Sequence, residues 1–208
     1  MNQAKPVVMS EADSGEELAR AEIYGVLASL FIAPPTAELL AQFQVAVTEA
    51  PVPGAFLEAP WQDLVAAARA CDVSQAMDEY DTLFMGVGKP EVFLYGLYYL
   101  SGYLHEIPLV KLRDALASLG LERESQVVET EDHVAYGFEV MRYLIAGDEV
   151  EVCNLEQQRK FFRAHLQPWV EEMCEALLQH PQARLYRAVA AFTLVFMQVE
   201  VQGFDMLE

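Results

Sequence analysis

Apolar side chains recur every three or four residues along most of this 208-residue chain, and that spacing constrains the fold more than any other feature. The clearest example is the set Val134, Phe138, Met141 and Ile145, separated by steps of four, three and four and followed by Gly147. Residues spaced in this way share one face of a helix. No segment alternates apolar and polar residues as a half-buried strand does. The sequence therefore predicts an all-α fold.

Capping residues, prolines and glycines divide the chain into a bundle of roughly nine predicted helices. A capping box of Ser14 and Glu17 predicts the first helix start, and Thr130 is the predicted N-cap of the clearest amphipathic helix. Pro168 predicts a kink or break near His165 in a long helical segment. The predicted helices cover 14–33, 36–47, 61–71, 74–84, 95–104, 108–120, 130–146, 154 onward and 182–201.

With 53% hydrophobic residues, the chain is able to bury a substantial core. We expect one helical domain over 14–203, a length compatible with a small C-terminal lobe. Residues 1–13 are expected to form a flexible N-terminus, and 204–208 a C-terminal tail. Residues 51–60 are a proline-rich connection between two helices.

Acidic residues outnumber basic ones by 32 to 13, which gives a formal net charge of −19. Such a charge repels nucleic-acid phosphates and anionic lipid, and it attracts a basic partner. The three cysteines are far apart and form no CxxC pair, which predicts reduced thiols. No secretory signal and no apolar run of about 20 residues is present, so we expect a cytoplasmic protein rather than an integral membrane protein.

Motifs for catalysis and for metal binding are missing from the sequence. The text GVGK at 86–89 suggests a phosphate loop, but Leu83 stands where the first glycine is required and Pro90 where Ser or Thr is required. The four histidines form no HExxH, no ExxH pair and no Cys-His cluster. We therefore predict that the chain is not an enzyme and has no catalytic residue and no metal site.

Two clusters are candidates for binding. In the first, Glu131 is interpreted as a favourable charge near a helix N-terminus, whereas Asp132 and His133 either serve the helix or hydrogen-bond a guanidinium or backbone of a partner. In the second, carboxylates and aromatics alternate over 79–84 beside the Gly/Pro loop 85–94. That second pattern fits either ordinary core or a groove for an apolar peptide with basic flanks. The unusually apolar loop is expected to be covered.

These motifs resemble the TorD/DmsD family of cytoplasmic chaperones that serve molybdenum-containing oxidoreductases. The resemblance rests on E-Y-x-x-L-F at 79–84 followed by a proline and Tyr95, on E-x-x-D-H at 129–133, and on F-x-x-H-L-x-P-W at 162–169. Two positions depart from the family pattern: Thr130 replaces a proline, and 94–97 is Leu-Tyr-Gly-Leu where Pro-Tyr-x-Ser is common.

The resemblance implies an all-helical chaperone that binds the twin-arginine leader or the apo-form of an oxidoreductase and holds it until its cofactor is inserted. Its client is then an oxidoreductase of the dimethyl sulfoxide, trimethylamine oxide or formate dehydrogenase type. Carried over by residue, the implied leader-binding positions are Tyr80, Leu83, Phe84, Pro90, Tyr95, Asp132 and His133. The positions expected to give structural support are Glu129, His165 and Trp169.

The chemistry of such a leader agrees with the composition of this chain. A basic segment followed by an apolar one requires carboxylates near an apolar groove, and the planar guanidinium of arginine binds carboxylates in two-point fashion, unlike lysine. We expect Phe84 and Tyr95 to line a partly exposed groove. Weak GTP binding, a general helical adaptor and a homodimer stay open as alternatives.

Overall fold

The computed structural model describes residues 11–48, 56–86, 88–101, 107–123 and 128–206, without the side chains of 11–14. In these ranges the chain forms ten α-helices and one π-helical turn, Asp81–Met85, and no strand beyond an isolated antiparallel bridge between Tyr95 and His133. The predicted all-α fold is confirmed. The helices are α1 Glu11–Ile32, α2 Ala37–Gln44, α3 Glu58–Arg69, α4 Val73–Tyr80, α5 Gly96–Ser101, α6 Ile107–Ser118, α7 Val134–Ala146, α8 Leu155–His165, α9 Val170–Gln179 and α10 Leu185–Asp205.

Two predicted N-caps are wrong. Helix α1 begins at Glu11, so Ser14 lies inside the helix instead of at its N-cap. Helix α7 begins at Val134 with His133 as its N-cap, three residues after the predicted cap Thr130. The hydroxyl of Thr130 instead donates a hydrogen bond to the carboxylate of Asp132, at 2.5 Å. The predicted parts at 1–10, 51–55, 102–104 and 207–208 lie outside the described residues.

Other local signals are confirmed. Thr36 caps α2, because its hydroxyl oxygen accepts the backbone N–H of Leu39 at 3.2 Å. The predicted break near His165 is present, with α8 ending there and α9 starting at Val170 after Pro168. The three cysteines are free thiols, as predicted.

The core is built around two long helices. Helix α1 packs mainly against α7, and α10 packs against α3 and α9. None of the described helices is long and apolar enough to cross a membrane. The largest side chains with almost no exposed surface are Tyr24, Tyr186, Phe31, Phe138, Phe162, Phe192, Phe196, Leu27, Leu30, Leu64, Leu83 and Met141.

A polar network crosses this core and ties three helices together. The guanidinium of Arg20 on α1 donates two bonds to Glu200 on α10, both at 2.8 Å, and one to Gln158 on α8 at 3.3 Å. The hydroxyl of Tyr24 also donates to Glu200, at 2.9 Å. A buried carboxylate without such partners would be strongly destabilising, so the network fixes how α1 sits against α10.

Candidate functional site

Two of the family-like motifs meet at the bridge between Tyr95 and His133. The backbone N–H of Val134 donates to the carbonyl of Leu94 at 2.8 Å, and the N–H of Gly96 donates to the carbonyl of Asp132 at 2.9 Å. The ring of Tyr95 also meets the imidazole of His133 edge-on, with 5.0 Å between centroids. The segments around 95 and 129–133, far apart in sequence, therefore form one unit at the start of α5 and α7.

Asp132 serves this junction through both of its carboxylate oxygens. One oxygen accepts the N–H of Leu97 at 2.9 Å, and the other accepts the hydroxyl of Thr130. The residue is buried and precedes α7, so the expectation that it lies in the first turn of that helix is wrong. It stabilises the first turn of the neighbouring α5 instead. Its role in recognising a client stays a prediction.

His133 is a buried histidine in its neutral form. Its Nδ1 accepts the backbone N–H of Ala135 at 3.2 Å, and only 4% of the residue is exposed. Burial lowers the pKa of His133 to about 4, although the nearby carboxylates of Glu129 and Asp132 oppose this shift. At neutral pH the imidazole therefore acts as a cap that accepts a hydrogen bond.

Glu129 is a half-buried carboxylate close to tyrosine side chains. It accepts a hydrogen bond from the hydroxyl of Tyr95. The pKa of Tyr80 is raised to about 12, first by burial and then by the charges of Glu129 and Asp81. Burial and the bond to Glu129 also raise the pKa of Tyr95. A carboxylate beside aromatic rings is an arrangement that attracts a guanidinium.

The predicted apolar positions are mostly core residues. Phe84 is only 7% exposed and packs against Phe31, Tyr80 and Tyr186, with 4.8 Å between its ring centroid and that of Tyr186. The expectation that Phe84 lines a partly exposed groove is therefore wrong. Tyr80 and Leu83 are buried as well, whereas Pro90 and Tyr95 are half-buried. Tyr95 is thus the aromatic residue of the predicted set that a partner can reach.

The apolar loop before Tyr95 is covered by the chain itself. The N–H groups of Glu91 and Val92 donate to the carbonyl of Leu83 at 3.0 and 2.9 Å, and Val92 is buried. The turn depends on Gly86, which has φ +54° and whose added Cβ would lie 2.1 Å from the carbonyl oxygen of Lys89. The loop thereby carries the chain from the π-helical turn to the junction at Tyr95.

The third motif, residues 162–169, packs against α5 through Trp169. The indole of Trp169 donates to the carbonyl of His165 at 2.6 Å and stacks on Tyr99 at 5.6 Å. A Cβ on Gly96 would lie 3.0 Å from the same indole, so glycine allows this close packing. The contact uses the backbone carbonyl of His165 and not its imidazole.

An open apolar groove between α6 and α7 adjoins this junction, and sequence reasoning missed it. Its cavity volume is about 320 Å³. Glu131 lies at its rim and pairs with Arg113 at 3.0 Å and Arg123 at 3.7 Å. The sequence signal for this groove is a second stripe on α7, formed by Tyr136, Val140 and Tyr143 at steps of four and three. The lining residues are Leu112, Leu116, Leu121, Glu122, Arg123, Glu131, Tyr136, Gly137, Glu139, Val140, Tyr143 and Phe161.

Comparison with known proteins agrees with the motifs. A family model described as nitrate reductase delta subunit matches residues 54–175, which include the junction and the groove. The chain belongs to the TorD/DmsD family. It is 28% identical over 204 residues to the chaperone protein TorD of Vibrio cholerae serotype O1, covering 90% of this chain and 93% of that protein. It is 26% identical over 200 residues to the chaperone protein TorD of Aliivibrio fischeri, covering 88% and 93%.

The family assignment and the structure together give each motif a place. The three TorD/DmsD-like motifs all converge on α5: the first through the loop before Tyr95, the second through Asp132, and the third through Trp169. Helix α10 lies beyond the segment that the family model matches, although the alignments with the TorD relatives cover most of the chain.

Proposed function

We propose that this protein is a cytoplasmic chaperone, not an enzyme, that acts in the maturation of a molybdenum-cofactor oxidoreductase. It binds the twin-arginine leader, the apo-form of the catalytic subunit, or both, and holds back export until the cofactor is inserted. The client is of the dimethyl sulfoxide, trimethylamine oxide or formate dehydrogenase type. Family membership supports the chaperone role, and the relatives named as chaperones share most of their length with this chain.

The single observation that supports leader binding is the half-buried carboxylate of Glu129 among aromatic rings, beside an open apolar groove. A leader presents a basic segment followed directly by an apolar one. The carboxylate suits the first part, and the groove suits the second. The net charge of −19 adds a long-range attraction for basic peptides.

Leader binding is expected to weaken with salt without disappearing. Raising the salt concentration from about 0.05 M to about 0.5 M should reduce the affinity for a synthetic twin-arginine leader roughly three- to tenfold, because salt screens the charges but not the apolar contact. A fluorescence titration of the purified protein measures this directly. An unchanged affinity would argue against the carboxylates, and complete loss would argue against the apolar contact.

The same titration separates the alternatives when GTP is added in a parallel series. A chaperone for leaders binds the peptide whether or not the nucleotide is present. A nucleotide-responsive switch would bind GTP and change its affinity for the peptide. A general adaptor would bind neither the leader nor GTP.

A further inference from the structure

We propose that the groove between α6 and α7 seats the apolar segment of the client's leader, and that Arg113 and Arg123 occupy Glu131 in the place of the leader's two arginines. This inference rests on the proposed function, because it assumes that the client is a leader peptide. It goes further by adding Glu131 to Glu129 as a carboxylate that receives the leader's basic segment, and by making Arg113 and Arg123 competitors for it.

The walls of the groove suit an apolar, helical segment. Leu112 and Leu116 come from α6, and Val140 and Tyr143 come from α7. Two helices that stand apart with an apolar trough between them form the arrangement that accepts an amphipathic or apolar helix. The cavity of about 320 Å³ lies at the lower end of the range for ligand pockets, and residues of both helices line it.

The rim of the groove indicates the charge of its occupant. Glu122, Glu131 and Glu139 line it, and the chain's own arginines already pair with two of them, Glu131 and Glu139. A leader with basic residues before its apolar segment would place positive charge near these carboxylates. A lipid or a small apolar molecule would use the trough but not the carboxylates.

Glu131 already holds two guanidinium groups. Its carboxylate is 13% exposed and lies 3.0 Å from Nη2 of Arg113 and 3.7 Å from Nε of Arg123. These pairs and the hydrogen bond from Arg113 lower the pKa of the Glu131 carboxyl, so it is ionised at neutral pH. Glu131 is therefore already placed to bind guanidinium groups, with the chain's own arginines as its present partners.

Exchange of these arginines for those of a client keeps Glu131 paired throughout. The side chains of Arg113 and Arg123 are 49% and 37% exposed and can move into water, whereas Glu131 is only 13% exposed and keeps a guanidinium partner in both arrangements. Incoming guanidinium groups can therefore replace them on Glu131, while the released side chains become hydrated. A lysine pair would replace them less well, because an ammonium group lacks the planar fork.

The arginine exchange predicts that loss of Arg113 changes leader binding more than loss of an arginine elsewhere on the surface. Arg113→Gln removes a competitor and should tighten binding of a twin-arginine peptide with about twelve apolar residues roughly two- to fivefold. Glu131→Gln should weaken binding and abolish the preference for arginine over lysine in that peptide. Arg163→Gln, which breaks an ion pair with Asp205 between α8 and α10, is the matched control and should leave both unchanged.

The trough is tested with a second pair of variants on α6. Leu116→Glu places a charge in the groove and should weaken binding roughly tenfold. Val110→Glu makes the same change at a residue of α6 that is 50% exposed and does not line the groove, so it should leave binding unchanged. Circular-dichroism melting of every variant shows whether the fold is kept.

The outcomes distinguish this inference from the proposed function. If the wild-type protein binds no twin-arginine peptide, leader binding itself is wrong. If the wild type binds but Leu116→Glu and Val110→Glu behave alike, the groove is not the seat of the apolar segment. If Arg113→Gln weakens binding, the arginines contact an acidic group of the partner, and the exchange is overturned.

Discussion

Phe84→Ala is expected to destabilise the fold by about 3 to 5 kcal/mol, which lowers the melting temperature by roughly 6 to 20 °C for a chain of this size. The ring is 7% exposed and contacts Phe31, Tyr80 and Tyr186, so its removal leaves a cavity between the π-helical turn, α1 and α10. Chemical denaturation followed by circular dichroism measures the free energy of unfolding.

The neighbouring Met85 provides a matched control for Phe84. It is 63% exposed, and Met85→Ala should change the free energy of unfolding by no more than about 0.5 kcal/mol. A contradictory result would be a Phe84→Ala variant with normal stability and weakened leader binding. That result would return Phe84 to the exposed groove that the resemblance to the TorD/DmsD family implied.

The second large effect concerns acid and His133. In the unfolded chain its pKa is near 6.5, and burial lowers the pKa to about 4 in the folded protein. The folded state therefore binds fewer protons, and the stability that neutral His133 contributes is complete above about pH 6.5 and is lost as the pH falls through 4. Between about pH 7.5 and about pH 5 the expected loss is about 2 kcal/mol.

Protonation of His133 also removes the acceptor that caps α7, since Nδ1 accepts the N–H of Ala135. His133→Asn keeps a good capping acceptor but does not titrate, so this part of the pH dependence should disappear in the variant. His180→Asn controls for loss of a capping imidazole, because Nδ1 of His180 accepts the N–H of Gln182 at the surface. Identical pH dependence in the wild type and in His133→Asn would contradict the assignment.

The sequence predicted the helices better than the caps and contacts that connect them. The cap at Thr36 and the break at Pro168 depend only on residues adjacent in sequence, so the sequence predicts them directly. The cap at His133 did not follow, because Thr130 is the stronger capping residue by type. Its hydroxyl is instead used by Asp132, whose other oxygen accepts a bond from α5. Only the tertiary arrangement reveals that competition.

The sequence also did not reveal that the aromatic side chains at 80–84 are buried. Tyr80 and Phe84 have the spacing of one helical face, and the same spacing fits a core and a groove. Phe84 lies in the core because it is part of the π-helical turn and packs against Tyr186 of α10. The groove was missed for the opposite reason, because its walls come from two helices whose separation no sequence pattern specifies.

Capture of the client from cells tests the central claim most directly. The tagged protein is recovered from an extract of its source organism, bound proteins are identified by mass spectrometry, and their molybdenum content is measured. A chaperone of maturation should retain the catalytic subunit of a molybdenum-cofactor oxidoreductase with its leader attached and without cofactor. Recovery of only the mature, molybdenum-loaded enzyme, or of no such oxidoreductase, would contradict it.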